Sequence, residues 1–497
     1  MIIIYIFETS FQIRFMSPLN ILFVVVAYFA LLLSISYFTS RKADNKAFFL
    51  GNKQSPWYVV AFGMIGASLS GVTFISVPGW VKSTEFSYMQ MVLGYMLGYI
   101  VVANILLPLY YRLNLTSIYT YLKGRFGSIS YKTGASFFLL SRTIGASFRL
   151  FLMANVLQIT VFDAWGVPFA LTVLITILLI WLYTFRGGIK TIIWTDSLQT
   201  LFMLLSVGVS IYLIMDKLDL NAAGVLSTIR ESEYGKVFEF NDWASKQHFL
   251  KQFFTGAFIT IVMTGLDQDM MQKNLSCKNL KEAKKNMYWY GFAFIPANLL
   301  FLMLGALLLI FAQHEGIVIP ERGDDLFPML ATQHLGPVVG LFFLVGLMAA
   351  AYSSADSALT SLTTSFTVDI LGADENDEAK TKKLRGRSHL LFSFILLLVI
   401  LIFRAINDDS VISAIFTVAG YTYGPLLGLY AFGLFTTIQV KDKWVPLVTI
   451  AAPVLCYIFS QNSMDWFGFK LGFELLMLNG FLTFIGLLVI RRNKDKG

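Results

Sequence analysis

Apolar segments long enough to cross a lipid bilayer recur along almost the whole chain, separated by short polar loops. A helix rises about 1.5 Å per residue and the hydrocarbon core is roughly 30 Å thick, so a spanning helix needs about 20 apolar residues. Only 14% of the residues are charged and the mean hydropathy is +0.68. Soluble domains carry about 25% charged residues. We therefore predict an all-helical integral membrane protein that lies in a lipid bilayer.

The apolar segments predict thirteen membrane spans. They lie near residues 18–38, 56–81, 87–111, 131–160, 168–185, 191–215, 249–272, 287–313, 336–370, 388–407, 411–438, 444–460 and 470–490.

The charges of the loops predict the orientation. Most of the 38 Lys and Arg residues fall in every second loop, whereas 216–248 and 314–335, on the opposite side, are rich in Asp and Glu. Cytoplasmic loops carry the excess of positive charge. We expect a multi-pass protein of the plasma (inner) membrane, with its N-terminus outside and its C-terminus in the cytoplasm. Residues 1–15 lack the pattern of a signal peptide and are an extension of uncertain status.

Several function classes are disfavoured. The net charge of +8 comes from basic residues scattered over short loops, so we expect no nucleic-acid partner, and no obligate protein partner is evident. Two cysteines form no disulfide framework, and four histidines form no metal or nucleophile cluster, so we expect neither an enzyme nor a cofactor. A channel is disfavoured because no ring of charges is visible.

The second span contains many residues that weaken a helix. Gly63, Gly66, Gly71 and Pro78 lie in it, and hydroxyl side chains are interspersed. An unwound helix in mid-membrane frees carbonyl groups that can replace water around a small, hard cation. The alternative interpretation is a small-residue face for helix packing.

The ninth span carries a stripe of small and hydroxyl residues. Ala350, Ser353, Ser354 and Ser357 share one helical face, and Asp356 flanks it. Hydroxyls and a carboxylate are hard oxygen ligands that suit Na⁺. Hydrogen bonding between helices would explain the serines without explaining the carboxylate.

Three further charges lie within predicted spans. Asp196 is about one turn inside the sixth span, and Arg142 and Arg149 are on nearly the same face of the fourth. A charge at this depth needs a partner. The arginines pair either with an internal acid, such as Asp196, Asp267 or Asp356, or with a negatively charged substrate.

Four segments carry a family resemblance. Residues 46–53 (KAFFLGNK), 194–199 (WTDSLQ), 266–273 (LDQDMMQK) and the serine-rich stretch 349–370 lie in matching order on matching spans. On these segments the chain resembles the solute:sodium symporter family, which includes sodium–glucose, sodium–iodide and sialic acid carriers.

The resemblance implies a leucine-transporter-like fold, with two inverted five-helix repeats, one preceding helix and two following helices. The implied divisions are the extension 1–15, the first helix and loop 16–55, repeat one 56–215, an outer loop 216–248, repeat two 249–438, and the C-terminal helices and tail 439–497.

The resemblance also implies a main sodium site. It would consist of the backbone carbonyls of Gly66, Leu69 and Ala350 and the hydroxyls of Ser353 and Ser354. Sodium would be the coupling ion.

Some members of the family bind a second sodium ion. The matching residues are Asp196, Ser353, Asp356 and Ser357, although Asp356 departs from the usual serine. This carboxylate either strengthens cation binding or pairs with Arg142 or Arg149.

The implied substrate site lies between the broken second span and its neighbours. Its candidate residues are Ser70, Thr73, Gln90, Arg142, Arg149, Met263 and Tyr421. Two positions depart from the family: Ala146 stands where sialic acid carriers have an arginine, and Met263 lies near the tyrosine gate of the sugar carriers.

The resemblance thus implies sodium-coupled import of a small solute by alternating access. A small organic anion or acidic sugar is favoured. A neutral sugar or other metabolite, or a proton-coupled carrier of the same fold, are the alternatives.

Overall fold

The computed structural model describes residues 17–41, 43–373, 377–406, 411–468, 471–472 and 474–492. The predicted extension 1–15 lies outside them. In the described residues all regular elements are helices, and only two isolated β-bridges occur. The principal helices are α1 (Pro18–Ser40), α2 (Asn45–Leu50), α3 (Trp57–Ser68), α4 (Gly71–Thr84), α5 (Tyr88–Arg112), α6 (Thr120–Arg125), α7 (Ser128–Trp165), α8 (Phe169–Thr184), α9 (Ile189–Lys217), α10 (Ala222–Glu231), α11 (Phe249–Gly265), α12 (Gln268–Leu275), α13 (Leu280–His314), α14 (Leu326–Gln333), α15 (Pro337–Ile370), α16 (Glu378–Ile406), α17 (Val411–Phe435), α18 (Val445–Phe467) and α19 (Leu475–Val489).

The helices confirm the predicted class. Within the described residues, 8 helices are long and apolar enough to cross a membrane, or up to 10 if each of two bent pairs is one span. Helices α8 and α19 are apolar but shorter. Each predicted segment coincides with a helix or a bent pair, while the count of thirteen crossings stays a prediction.

The break predicted in the second span lies between α3 and α4, which meet at 60°. Leu69 leaves helical geometry with ψ of 33°, Ser70 is extended with ψ of 168°, and Gly71 begins the next helix. Backbone groups at Leu69 and Ser70 are therefore free of the regular helical ladder.

A second break, which the sequence analysis did not predict, separates α11 from α12 by 65°. Helix α11 ends in a π-turn over Ile261–Gly265, and Asp267 caps α12. Its Oδ1 accepts hydrogen bonds from the backbone nitrogens of Asp269, at 2.9 Å, and Met270, at 3.3 Å. A carboxylate at this position stabilises the exposed N–H groups of a helix start.

The α3–α4 break packs tightly against α9 and α15. A methyl group on Gly66 would lie 2.2 Å from Oγ1 of Thr200, and one on Gly71 would lie 3.2 Å from Cβ of Ala351. The backbone nitrogen of Gly66 donates a hydrogen bond of 3.0 Å to that threonine oxygen. Helix α15 forms the centre of the bundle, since residues 346–365 are all buried. The glycines thus bring the broken backbone into direct contact with the serine-bearing helix.

Candidate functional site

A cavity of about 120 Å³ adjoins the α3–α4 break, and we call it the small cavity. Helices α4, α5, α7, α11 and α13 contribute to its wall. Most of the predicted substrate residues line it, namely Ser70, Thr73, Arg142, Arg149 and Met263. The structure therefore places hydroxyls of the broken helix and both arginines of α7 around one space.

A larger cavity of about 540 Å³ adjoins the small one. The two share Trp80, Tyr88, Ile259 and Met263 as lining residues. Tyr421 lines the large cavity and not the small one. The large cavity also reaches the start of α11, at Lys246, Gln247, Lys251 and Gln252, and the start of α19, at Leu471, Gly472, Glu474, Leu475 and Leu476. The large cavity thus lies between the small cavity and the segments that precede α11 and α19.

Gln90 is not among the residues that line either cavity, although its partner Gln247 lines the large one. Its Nε2 donates a 2.8 Å hydrogen bond to the carbonyl of Gln247, and its Oε1 accepts one of 3.1 Å from the nitrogen of Glu239. The side chain is buried, and it fastens the loop before α11 to α5. Contact between Gln90 and a substrate remains only a prediction.

The two arginines have different environments. Arg142 is buried and forms an ion pair with Asp269. The sequence analysis considered Asp196, Asp267 and Asp356 as partners, and the structure corrects this choice. Arg149 forms no ion pair with any carboxylate of the described residues. A guanidinium that lines a cavity and has no carboxylate partner in the described residues has donors free to bind an anion.

The stripe on α15 faces Asp196 of α9. The hydroxyl of Ser353 donates a 2.7 Å hydrogen bond to Oδ1 of Asp196, and that of Ser357 donates one of 3.3 Å to Oδ2. Ser354 Oγ lies 3.3 Å from the carbonyl oxygen of Ala350. All five side chains are buried. Serine hydroxyls and a carboxylate thus meet where hard oxygen ligands were predicted.

The remaining predicted sodium residues are close to this stripe in the fold. Gly66 and Leu69 are buried at the end of α3, next to the point where Gly71 contacts Ala351 of α15. This proximity brings the candidate carbonyls and hydroxyls together. Coordination of an ion by them remains a prediction.

Asp356 forms no ion pair with either arginine among the described residues. Its Oδ2 accepts a 2.8 Å hydrogen bond from the hydroxyl of Tyr183 on α8. Pairing with Arg142 or Arg149, one of the two predicted roles, is therefore wrong in this structure. The other role, support for a cation beside Ser357, stays a prediction.

Lys273 is a site residue that the sequence analysis missed. It directly follows the predicted seventh span, 249–272, but its side chain is only 1% exposed and its Nζ lies 2.7 Å from Oδ2 of Asp196. Its position at the end of the segment 266–273, which carries part of the family resemblance, was the available sign that it belongs to the site. Hydropathy alone places Lys273 in the loop after the seventh span, because a lysine ends the apolar segment.

The family model of the sodium:solute symporter family matches residues 48–439. The chain belongs to this family. The symporter is 24% identical over 491 residues to the sodium/sialic acid symporter NanT of Aliivibrio fischeri, covering 92% of this chain and 91% of the relative. It is 25% identical to the sodium/sialic acid symporter SiaT of Proteus mirabilis, over 89% of each chain. It is 26% identical to the sodium-coupled monocarboxylate transporter 2 of Bos taurus, over 82% of this chain and 67% of that one.

Solved structures share the fold of the symporter. A Na⁺-coupled sialic acid symporter in a substrate-bound, outward-open state superposes with a TM-score of 0.80 at 19% identity, covering 94% of this chain and 97% of that one. Mhp1, a nucleobase-cation-symport-1 family transporter, superposes with a TM-score of 0.55 at 13% identity, covering 88% and 92%. The predicted family, the transporter fold and the assignment as a carrier rather than an enzyme are confirmed by these relatives.

Proposed function

We propose that this symporter uses the inward sodium gradient to import a small organic anion that carries a carboxylate, in the class of acidic sugars. Alternating access would move the substrate from the large cavity into the small one and then to the cytoplasm. The observation that carries the proposal is the small cavity itself, where Arg149 lies beside hydroxyl groups and forms no ion pair with a carboxylate in the part of the chain that the structure describes.

The chemistry of the small cavity favours a hydroxylated anion. Arg149 offers a planar, two-pronged donor to a carboxylate, while Ser70 and Thr73 offer hydrogen bonds to hydroxyl groups. Two relatives at 24% and 25% identity are named as sodium/sialic acid symporters. A monocarboxylate carrier is also among the relatives. The carboxylate is common to these substrates, and a polyhydroxylated one uses more of the cavity.

Sodium would bind between the α3–α4 break and α15. The carbonyls of Gly66, Leu69 and Ala350 and the hydroxyls of Ser353 and Ser354 would form the main site. A second ion would bind at Asp196 and Ser357, with Asp356 nearby. An ion that joins the broken helix to α15 stabilises the conformation in which the small cavity is formed, so sodium and substrate raise each other's affinity.

We further propose the topology of the chain. Repeat one would comprise 56–215 and repeat two 249–438, with 216–248 as the outer loop between them. The N-terminus would be outside and the basic tail cytoplasmic, so the large cavity would open outward. Accessibility of Asp242→Cys and Lys382→Cys to a membrane-impermeant thiol reagent on intact cells tests this, with labelling of the first and not the second expected.

Thermal unfolding of the purified symporter tests the ligands. A ligand that binds only the folded protein stabilises it by RT ln(1 + [L]/Kd). We expect sodium to raise the unfolding temperature relative to choline at equal ionic strength, and N-acetylneuraminate to raise it further only with sodium present. Glucose and N-acetylmannosamine serve as neutral controls. A response to a neutral sugar and none to any carboxylate would contradict the proposed substrate class.

A further inference from the structure

Four buried side chains form a continuous series of ion pairs from the small cavity to the candidate ion site. Arg142 of α7 pairs with Asp269, whose Oδ1 lies 4.0 Å from Nζ of Lys273, and that ammonium lies 2.7 Å from Asp196. We call Arg142, Asp269, Lys273 and Asp196 the ion-pair chain. Their side chains are at most 7% exposed.

The ammonium of Lys273 lies between two carboxylates and is bound closely by only one of them. Oδ1 of Asp269 is buried and accepts no hydrogen bond from the described residues. This oxygen is thus an unused acceptor that lies 4.0 Å from Nζ of Lys273. The flexible lysine stem makes a short movement from one carboxylate to the other feasible.

The ion that would bind Asp196 competes with this lysine. Both oxygens of Asp196 are engaged, one by Ser353 and the other by Lys273 and Ser357. A sodium ion at this carboxylate repels the ammonium and takes its place. Oδ1 of Asp269, at 4.0 Å, is then an alternative acceptor for Lys273.

Arrival of Lys273 at Asp269 affects Arg142. One carboxylate cannot neutralise two cations, and opposing charges in a buried environment interact strongly. The ion pair between Asp269 and Arg142 therefore weakens. The guanidinium of Arg142, which lines the small cavity, then becomes available to an anion. The ion-pair chain has two positive and two negative groups, so one added sodium leaves a charge that one substrate carboxylate balances.

We propose that the ion-pair chain couples the two ligands of this symporter, with Lys273 as a positioning residue that moves from Asp196 to Asp269 when sodium binds. The proposal rests on the proposed function, because it requires sodium at Asp196 and an anion at Arg142. It assigns the coupling to these contacts rather than only to closure of the α3–α4 break.

Paired binding measurements on the purified full-length symporter test the proposal. The affinity for N-acetylneuraminate is measured in choline and in sodium, and the affinity for sodium with and without N-acetylneuraminate. In the unmodified protein we expect each ligand to raise the affinity for the other by the same factor, typically about 5- to 150-fold. In Lys273→Gln we expect tighter sodium binding without substrate, and a mutual factor near one. In Asp269→Asn we expect tighter substrate binding in choline, with the same loss of coupling.

Two controls keep the outcomes separate. The double variant Lys273→Gln with Asp269→Asn removes one charge of each sign and guards against misfolding of the single variants. Lys281→Gln, on the exposed start of α13, removes a lysine outside the ion-pair chain and should leave the mutual factor unchanged. If sodium and N-acetylneuraminate raise each other's affinity in the double variant by the same factor as in the unmodified protein, the proposal is overturned while the proposed function stands. Absence of any sodium response in the unmodified protein would instead overturn the proposed function.

Discussion

The ammonium nitrogen of Lys273 lies 2.7 Å from a carboxylate oxygen of Asp196, and both side chains are 1% exposed. This contact joins α12, which follows the second helix break, to α9, which packs against the first. Because Ser353 donates to the same carboxylate, the ion pair is also part of the environment of the candidate sodium site. The buried carboxylate of Asp196 thus contacts both the helix that follows the second break and the helix that carries the candidate ion ligands.

The hydroxyl of Ser354 should contribute to sodium binding. In Ser354→Ala we expect the sodium concentration for half-maximal uptake to rise by about 10-fold, since one hydrogen-bond-like contact to a charged group contributes about 1.5–3 kcal/mol. Uptake as a function of sodium at fixed substrate measures this. Ser361→Ala, on the same helix with its hydroxyl donating to the carbonyl of Ala358, is the matched control and should leave the sodium dependence unchanged. Equal sodium dependence in both variants would remove Ser354 from the site.

Arg149 should determine selectivity for anions. Replacement by methionine removes the guanidinium but keeps much of the side-chain volume, and we expect the affinity for N-acetylneuraminate to fall by about 10- to 150-fold. Sodium binding without substrate should be preserved. Lys132→Met, near the start of the same helix, serves as the control for loss of one positive charge. Unchanged substrate affinity in Arg149→Met, with normal thermal stability, would assign Arg149 to packing.

Gly66 should be intolerant of a side chain. A methyl group there would lie 2.2 Å from Oγ1 of Thr200 and would force α3 away from α9. We expect Gly66→Ala to destabilise the fold by about 1–3 kcal/mol through overpacking. Gly208→Ala on α9 meets nothing within 4 Å and should be neutral or slightly stabilising. Thermal unfolding of both variants and of Gly66→Ala with Thr200→Ala measures the effect, and the double variant should recover part of the stability. A Gly66→Ala protein as stable as the unmodified one would contradict the close packing.

Asp369 should stabilise the fold without affecting sodium. At the end of α15 its carboxylate accepts hydrogen bonds from Ser117 at 2.8 Å, Tyr131 at 2.8 Å and Ser365 at 2.6 Å. An asparagine replaces one acceptor by a donor, so we expect Asp369→Asn to lower stability by about 1–3 kcal/mol. The exposed Asp216→Asn is the control. A changed sodium dependence at normal stability would mean that Asp369 acts on the ion site.

The sequence contained much of the fold because membrane spans are long and apolar. Their positions along the chain could be predicted since each one needs a continuous apolar run. The α3–α4 break was also predictable, because glycine, proline and hydroxyl residues cluster there. The break after α11 was not, since it depends on Asp267 capping the following helix, and a capping interaction within an apolar run leaves little trace in hydropathy.

The partners of the buried charges could not be predicted in the same way. The sequence showed that Arg142 and Asp196 need compensation, but not that Asp269 and Lys273 supply it. That choice depends on how α7, α9 and α12 pack, and α12 turns Lys273 into the core only because the chain bends by 65° before it. Gln90 shows the same limit: the sequence predicts that this polar residue faces substrate, and only the structure shows that it also holds the loop before α11.

Uptake by the purified symporter in sealed proteoliposomes tests the central claim most directly. Radiolabelled N-acetylneuraminate is supplied outside, with an inward sodium gradient in one sample and choline with an inward proton gradient in the other. We predict accumulation above the outside concentration with the sodium gradient alone, and loss of that accumulation when a sodium ionophore is added. Accumulation driven by the proton gradient in choline, equal to that in sodium, would contradict sodium coupling and assign the buried carboxylates to proton transfer.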